Sequence, residues 1–398
     1  MKFIFGKINP LLITLTLLLI LPFSCKEKTE QVEKQQVLFQ SGPGIKVDSA
    51  DAQLPFLFAH NNKLYLSWVE NSLENSKLYF SQMRGGSFGS PQLVAEGEDW
   101  FVNWADYPQI TAFKDGSLMA VFLKKSGPGT FSYDIMYSVS KNFREWSKPK
   151  ILHDDQTQTE HGFVSMSPWE GNILITWLDG RDTQTENTTA TPHHHHGQMT
   201  LRAAVVNNEG HKLEEWLLDD RVCDCCQTGS TVSNSGPLVV FRDRSENEIR
   251  DIGLVRWNEG EWNQTQPVHM DLWEIAACPV NGPRISSLDS LVSIAWFTAS
   301  RDQPAVNVAF SKDSGATFDK VVRSDLGNPI GRVAVEILDE NTVFILWMEN
   351  NSIMGRTVDA SGRLGTPLEL TESATNRSSG FPQMKKTSDK LWFAWTVS

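Results

Sequence analysis

Apolar residues in this chain fall in short alternating runs. Each pair of runs is divided by a polar or glycine turn and closed by an aromatic residue. Seven segments show the pattern: LPFLFAHNNKLYLSW, YPQITAFKDGSLMAVF, GFVSMSPWEGNILITW, GSTVSNSGPLVVF, GPRISSLDSLVSIAW, GRVAVEILDENTVFILW and FPQMKKTSDKLWFAW. Their closing aromatics are Trp68, Phe122, Trp177, Phe241, Trp296, Trp347 and Trp395, separated by 54, 55, 64, 55, 51 and 48 residues. Alternation specifies half-buried strands, because successive side chains of a strand point to opposite faces. A hairpin at this spacing has the period of a propeller blade built from four antiparallel strands. A second strand pair follows each of the first six hairpins, as in KLYFSQM with SPQLVAE and NVAFSKD with FDKVVRSD. The seventh hairpin runs out at Ser398. QVLFQ at 36–40 is predicted to supply an outer strand from the other end, leaving no exposed sheet edge. The expected fold is all-β: a single propeller of four-stranded antiparallel blades, six or seven in number and seven by the repeat count, over 38–398.

The first 25 residues have a different pattern. Lys2 and Lys7 precede the apolar stretch LLITLTLLLILPF, which ends at Ser24 and Cys25, the arrangement of an export signal. It resembles a bacterial lipoprotein signal, with Pro22 where leucine is usual. The resemblance implies that Cys25 is the lipidated first residue of a cell-envelope protein touching the membrane through that anchor only. Residues 26–37 are charged and lack aromatics, so they read as a solvated tether. The formal net charge of -12 excludes nucleic acid as a partner, since phosphates need a basic surface. A monomer is expected.

In a propeller, the loop entering the first strand of a blade and the loop leaving the second lie on one face. That face is predicted to collect Trp100, Trp104, Asp106, Tyr107, His161, Asp179, Gln227, Asn281 and Glu349. It should also collect Arg181, Arg242, Arg244, Glu248, Arg250, Arg301, Arg332 and Arg377. Three Arg-Asp dipeptides follow second strands: Arg181-Asp182, Arg242-Asp243 and Arg301-Asp302. Arginines that bridge blades would be structural. Arginines that converge would recognise a carboxylate or sulfate, with Trp100 and Trp104 stacking on sugar.

Three of the five cysteines fall within CDCC, as Cys223, Cys225 and Cys226, and Cys278 precedes the next blade. Without Cys25 four remain, an even number in an oxidising compartment. A Cys226–Cys278 disulfide is one expectation, with Cys223 or Cys225 able to substitute. The other is a thiolate site for copper or zinc, which His193, His194, His195 and His196 on the same face could join.

One turn carries a second resemblance. SKDSGATF at 311–318 resembles the Asp-box of sialidase-like propellers, S-x-D-x-G-x-T-W, through Ser311, Asp313, Gly315 and Thr317, with Phe318 in place of tryptophan. Asp313 can accept turn amides, Gly315 can take positive φ, and Phe318 can pack beneath the hairpin. The resemblance implies an arginine triad, an aspartate acid/base and a tyrosine nucleophile activated by a glutamate. Asp106 or Asp179 would be the acid/base. Tyr107 is the tyrosine well placed on the face, with Glu248, Glu274 or Glu349 as its partner. All five tyrosines lie in the first two blades, whereas the family draws its nucleophile from late in the chain. QLPFLF also stands where the family's first-arginine signature would be. The expectation is an exported propeller that binds or cleaves an anionic glycan or small molecule, with weak or absent sialidase turnover. A metal- or redox-linked propeller and a scaffold for another protein are the alternatives.

Overall fold

The structure, a computed structural model, describes residues 52–398 except 73, 184–196, 374–380, 389 and 398, and the backbone of three strands, Lys2–Ile4, Lys7–Pro10 and Phe39–Ser41. The rest of the expected leader and tether, including Cys25, lies outside the described residues. So do His193, His194, His195, His196 and Arg377.

All seven repeats fold as hairpins. They pair Ala52–His60 with Lys63–Asn71, Gln109–Ala112 with Leu118–Lys125, His161–Trp169 with Asn172–Asp179, and Gly229–Ser233 with Gly236–Arg242. The last three pair Arg284–Leu288 with Leu291–Thr298, Pro329–Ile337 with Thr342–Glu349, and Gln383–Thr387 with Lys390–Val397. Each innermost strand packs against the next in sequence, and Gln383–Thr387 packs back against Ala52–His60, which closes a ring. Six hairpins extend outward into complete antiparallel four-stranded blades.

The seventh sheet is assembled from both ends of the chain. Lys2–Ile4 and Lys7–Pro10 both pair with Lys390–Val397, and Phe39–Ser41 pairs with Lys7–Pro10. The outer strand expected at 36–40 thus falls at Phe39–Ser41, beyond a third position filled by the first ten residues. Helix among the described residues is confined to two single 3-10 turns, Arg181–Thr183 and Ser300–Asp302.

The repeated aromatics fill the space between blades. Trp68, Trp177, Trp296 and Trp347 are at most 2% exposed. A buried indole N–H needs an acceptor, and a local carboxylate supplies it. Trp68 donates to Glu70, Trp177 to Asp179 and Trp347 to Glu349, in each case two residues on, while Trp296 donates to Asp271. Glu349 also accepts the amides of Leu326 and Asn328. Asp179 and Glu349, expected at the functional face, are therefore parts of the core hydrogen-bonding scheme.

The 311–318 turn joins the third and fourth strands of its blade, Ala305–Ser311 and Val322–Arg323. Asp313 accepts from Ser311, Thr317 N and the Thr317 hydroxyl, Gly315 sits at φ 80°, and Phe318 packs on the neighbouring core.

Bulges bend three of the innermost strands near the loop face. Leu54, Phe163 and Arg332 lie at or within these register shifts, with φ of 55°, 53° and 54°. Non-glycine residues avoid that region unless the surroundings hold them there. Of the three, Phe163 lines the candidate pocket.

Candidate active site

The predicted convergence of loops is observed. Gln227 Nε2 donates to Ala105 O at 2.7 Å, and Gly282 N donates to Gln227 Oε1 at 3.2 Å. Arg332 N donates to Asn281 Oδ1 at 2.7 Å, and Arg284 Nη2 donates to the Tyr107 hydroxyl at 2.8 Å. Trp104 stacks on Phe381, with the Arg332 guanidinium 5.3 and 5.5 Å from the two rings. Blades far apart in sequence are thereby tied across one face.

A pocket of about 440 Å³ opens beside this web. Phe101, Trp104 and Phe131 give it aromatic walls, and Asp224, Cys225 and Cys278 form another side. Asp106, Tyr133 and Glu160 also line it. The Tyr133 hydroxyl lies 3.0 Å from Asp106 Oδ2 and 2.9 Å from Glu160 Oε1. Phe163 N donates to the other Asp106 oxygen at 2.8 Å. A Cβ on Gly162 would run into Asp106 Oδ2, so glycine there is what lets the carboxyl lie against the strand. A second cavity of about 420 Å³ shares Phe131, Glu160 and Asp224 and is bordered by Arg244.

A phenol has one proton to donate, yet Tyr133 contacts two carboxyl groups. One contact therefore needs a protonated carboxyl donating back. The electrostatics agree. Burial pushes Asp106 up to about 7, and burial together with the Asp106 charge pushes Glu160 up to about 8. Burial and the two acids hold Tyr133 well above its usual range. Near neutrality the site stores protons, a condition for acid/base chemistry.

Tyr133 and Glu160 were not singled out in the sequence. Tyr133 opens a third strand, Tyr133–Ser140, directly after a loop already assigned to this face, and Glu160 precedes His161, also assigned to it. The signal was the position of the strand's first residue. Tyr107, favoured by the sequence, is instead taken up by Arg284, and Glu349 and Glu248 bond elsewhere. Glu274 is exposed, and its amide bonds Leu272 O.

Among the described residues the arginines do not form a ring around the pocket. Arg242 is buried and donates to Asn281 O, Arg250 O and Phe297 O. Arg181 pairs with Asp179, Asp155 and Glu215. Arg244 pairs with Glu248 and Asp224, and Arg250 with Glu248. Arg301 is exposed in its 3-10 turn. Trp100 stacks on Phe122 at 4.5 Å, within the core, and Trp104 alone of the two lines the pocket.

The cysteines do converge, all four as free thiols. Cys223 Sγ lies 3.5 Å from Cys226 Sγ and 4.0 Å from Cys225 Sγ. Cys278 meets Cys225, one of the partners the sequence allowed in place of Cys226. Hydrogen bonds from Cys225 and Cys226, with the Arg250 guanidinium, hold the Cys223 thiol well below its usual range. Burial pushes Cys226 up.

A separate buried network lies at the third blade. His153 and His161 stack at 3.6 Å, both contact Asp155, and Arg181 closes the group.

Fold and site together define an all-β propeller with a proton-storing aromatic pocket at its loop face. No protein-family model matches the chain, and no curated protein matches it. Among solved structures it is similar to a Hadza microbial sialidase, Hz136, at 14% identity, covering 99% of this chain and 89% of that one, with a TM-score of 0.48. It is also similar to the six-bladed fucose-recognising lectin of Aleuria aurantia, at 10% identity, 83% and 98% coverage and a TM-score of 0.45. An α-L-arabinofuranosidase of Fusarium graminearum matches at 10% identity, 69% and 81% coverage and a TM-score of 0.43. Likeness at this level concerns the propeller fold alone.

Proposed function

We propose that the protein acts on carbohydrate, taking an uncharged glycosyl residue into the pocket formed by Trp104, Phe101 and Phe131. The observation that carries this reading is the Tyr133 phenol held between the Asp106 and Glu160 carboxyl groups. Both carboxyl groups touch one phenol oxygen, at 3.0 and 2.9 Å, so a base and an acid share contact with a single nucleophile candidate. In this role the protonated Glu160 gives its proton to the leaving oxygen, and Tyr133, relieved of its proton by Asp106, faces the anomeric carbon. Aromatic walls suit the apolar face of a sugar ring, and a few convergent polar groups fix its orientation. Asp106 and Asp224 beside the pocket disfavour an anionic ligand by like-charge repulsion, while Arg242 and Arg181 are engaged elsewhere. The ligand is therefore a neutral glycan in preference to a sialoside.

A panel of neutral aryl glycosides and a sialoside, assayed with parent, Tyr133→Phe and Glu160→Gln, tests the reading. Turnover of a neutral glycoside is expected, falling by roughly 10²–10⁴-fold in either variant. Preferential sialoside cleavage, or turnover untouched by both substitutions, overturns it. The lipid anchor is a separate reading from the sequence, and processing at Cys25 would remove Lys2–Ile4 and Lys7–Pro10 from the seventh sheet. Cys25→Ala is expected to move the protein from the membrane to the soluble fraction, and unchanged fractionation rejects it.

A further inference from the structure

Cys225 and Cys278 line the same pocket as the acid/base group, but the glycan reading gives the four cysteines no role, and their arrangement needs its own account. Cys223, Cys225 and Cys226 place their sulfurs within 4.8 Å of one another, and Cys278 approaches Cys225 from the next blade. We propose that this cluster is a binding site for a thiophilic d10 cation, Cu(I) or Zn(II), held by sulfur alone.

Three observations separate this from a pair of disulfides. The first is distance. Sulfurs around a tetrahedral ion with bonds of about 2.3 Å stand roughly 3.8 Å apart, and the contacts of Cys223 are 3.5 and 4.0 Å. The second is charge. Arg250 Nη1 lies 3.2 Å from Cys223 Sγ, and the arginine is buried there. A guanidinium on sulfur stabilises a thiolate, the form that binds metal, and gains little from a neutral disulfide sulfur.

The third is the support around the cluster. Glu248 fixes the Arg250 guanidinium, Arg242 holds the Arg250 carbonyl, and Arg242 O accepts the amide of Cys223. Outer groups that orient and compensate first ligands in this way are a regular part of metal sites. Sulfur-only donors select soft ions. Binding converts thiols to thiolates and releases their protons to solvent, with no change of oxidation state. Cys278 is exposed and Cys226 buried, so the ion would enter past Cys278 and would pin the loop before the fourth blade to the loop before the fifth. The site adjoins the sugar pocket but does not depend on the glycan reading.

The test uses the full chain, purified anaerobically without nickel resin, with His193, His194, His195 and His196 changed to Ser to remove adventitious binding. Metal content is measured by mass spectrometry. Cu(I) and Zn(II) are titrated against competing chelators, and Co(II) is added as a spectroscopic probe. One equivalent of ion is expected, with thiolate-to-cobalt charge-transfer absorption and protection of at least three thiols from a thiol reagent. Tight copper binding with weak zinc binding identifies Cu(I), and the reverse identifies Zn(II). Cys278→Ser changes an exposed position and Cys225→Ser a half-buried one at the edge of the core, and each should weaken binding at least tenfold. Four thiols that react at the same rate with and without either metal, or absence of cobalt charge transfer together with no Cu(I) uptake, overturn the proposal. So does an intact mass showing two disulfides that persist under the anaerobic preparation.

Discussion

Arg242 separates the two meanings an arginine can have on this face. Read from sequence it is a ligand contact; in the structure it is a rivet between three loops. Its guanidinium donates to Asn281 O at 3.1 and 2.8 Å, to Arg250 O at 2.6 Å and to Phe297 O at 2.7 Å. It also lies 4.8 Å from the Trp273 ring. Arg242→Ala strips three buried carbonyls of a charged donor, each such bond being worth about 1.5–3 kcal/mol, and the ring contact adds about 1 kcal/mol. Release of a buried charge and entry of water offset part of that sum. The net expectation is a loss of about 3–5 kcal/mol, the range for deleting one partner of a buried charged interaction. Arg242→Lys should recover little, because one ammonium cannot serve three divergent acceptors. Urea unfolding followed by tryptophan fluorescence should show a lower midpoint at unchanged slope. A variant within about 0.5 kcal/mol of the parent, the usual bound for a surface change, but with lost glycan affinity, would refute the structural role and restore the ligand reading.

Two further outcomes follow from the same geometry. Asp106 and Glu160 bind protons more tightly folded than unfolded, so their contribution to stability is present at low pH and is lost as pH rises through about 7 to 8. Thermal unfolding between pH 5 and 8 should therefore show parent stability falling more steeply than that of Glu160→Gln, and parallel profiles would contradict the raised values. Trp347→Phe removes the donor that reaches Glu349 Oε2 at 2.7 Å in a fully buried position. It should cost about 2 kcal/mol by chemical denaturation, and a neutral effect would show that the indole N–H is not a core hydrogen bond.

The fold was legible because its information is local and repeated. Alternating runs, turn residues and a closing aromatic recur seven times, and each states the same hairpin without reference to the others. Ring closure turns that repeat into the prediction that loops before first strands converge, which the Gln227 to Ala105 and Arg332 to Asn281 contacts bear out. The even spacing also carried an unread message. An acid two residues after Trp68, Trp177 and Trp347 is a core feature, which removes Asp179 and Glu349 from any list of catalytic groups.

The site was legible only as a face. Side-chain chemistry depends on which of several neighbours a flexible group reaches, and that is settled by burial and by contacts between distant segments. Asp106 turns to Tyr133 because Gly162 leaves room and Phe163 N offers a hydrogen bond, so its partner comes from 27 residues away and its neighbour Tyr107 goes to Arg284. The arginines looked alike in the sequence, yet carbonyl oxygens claim Arg242, carboxylates claim Arg181 and Arg244, and a sulfur shares Arg250. Residue type and period determined the propeller. Which charge met which partner was decided in three dimensions, where a buried polar group must take the nearest complement or be expelled.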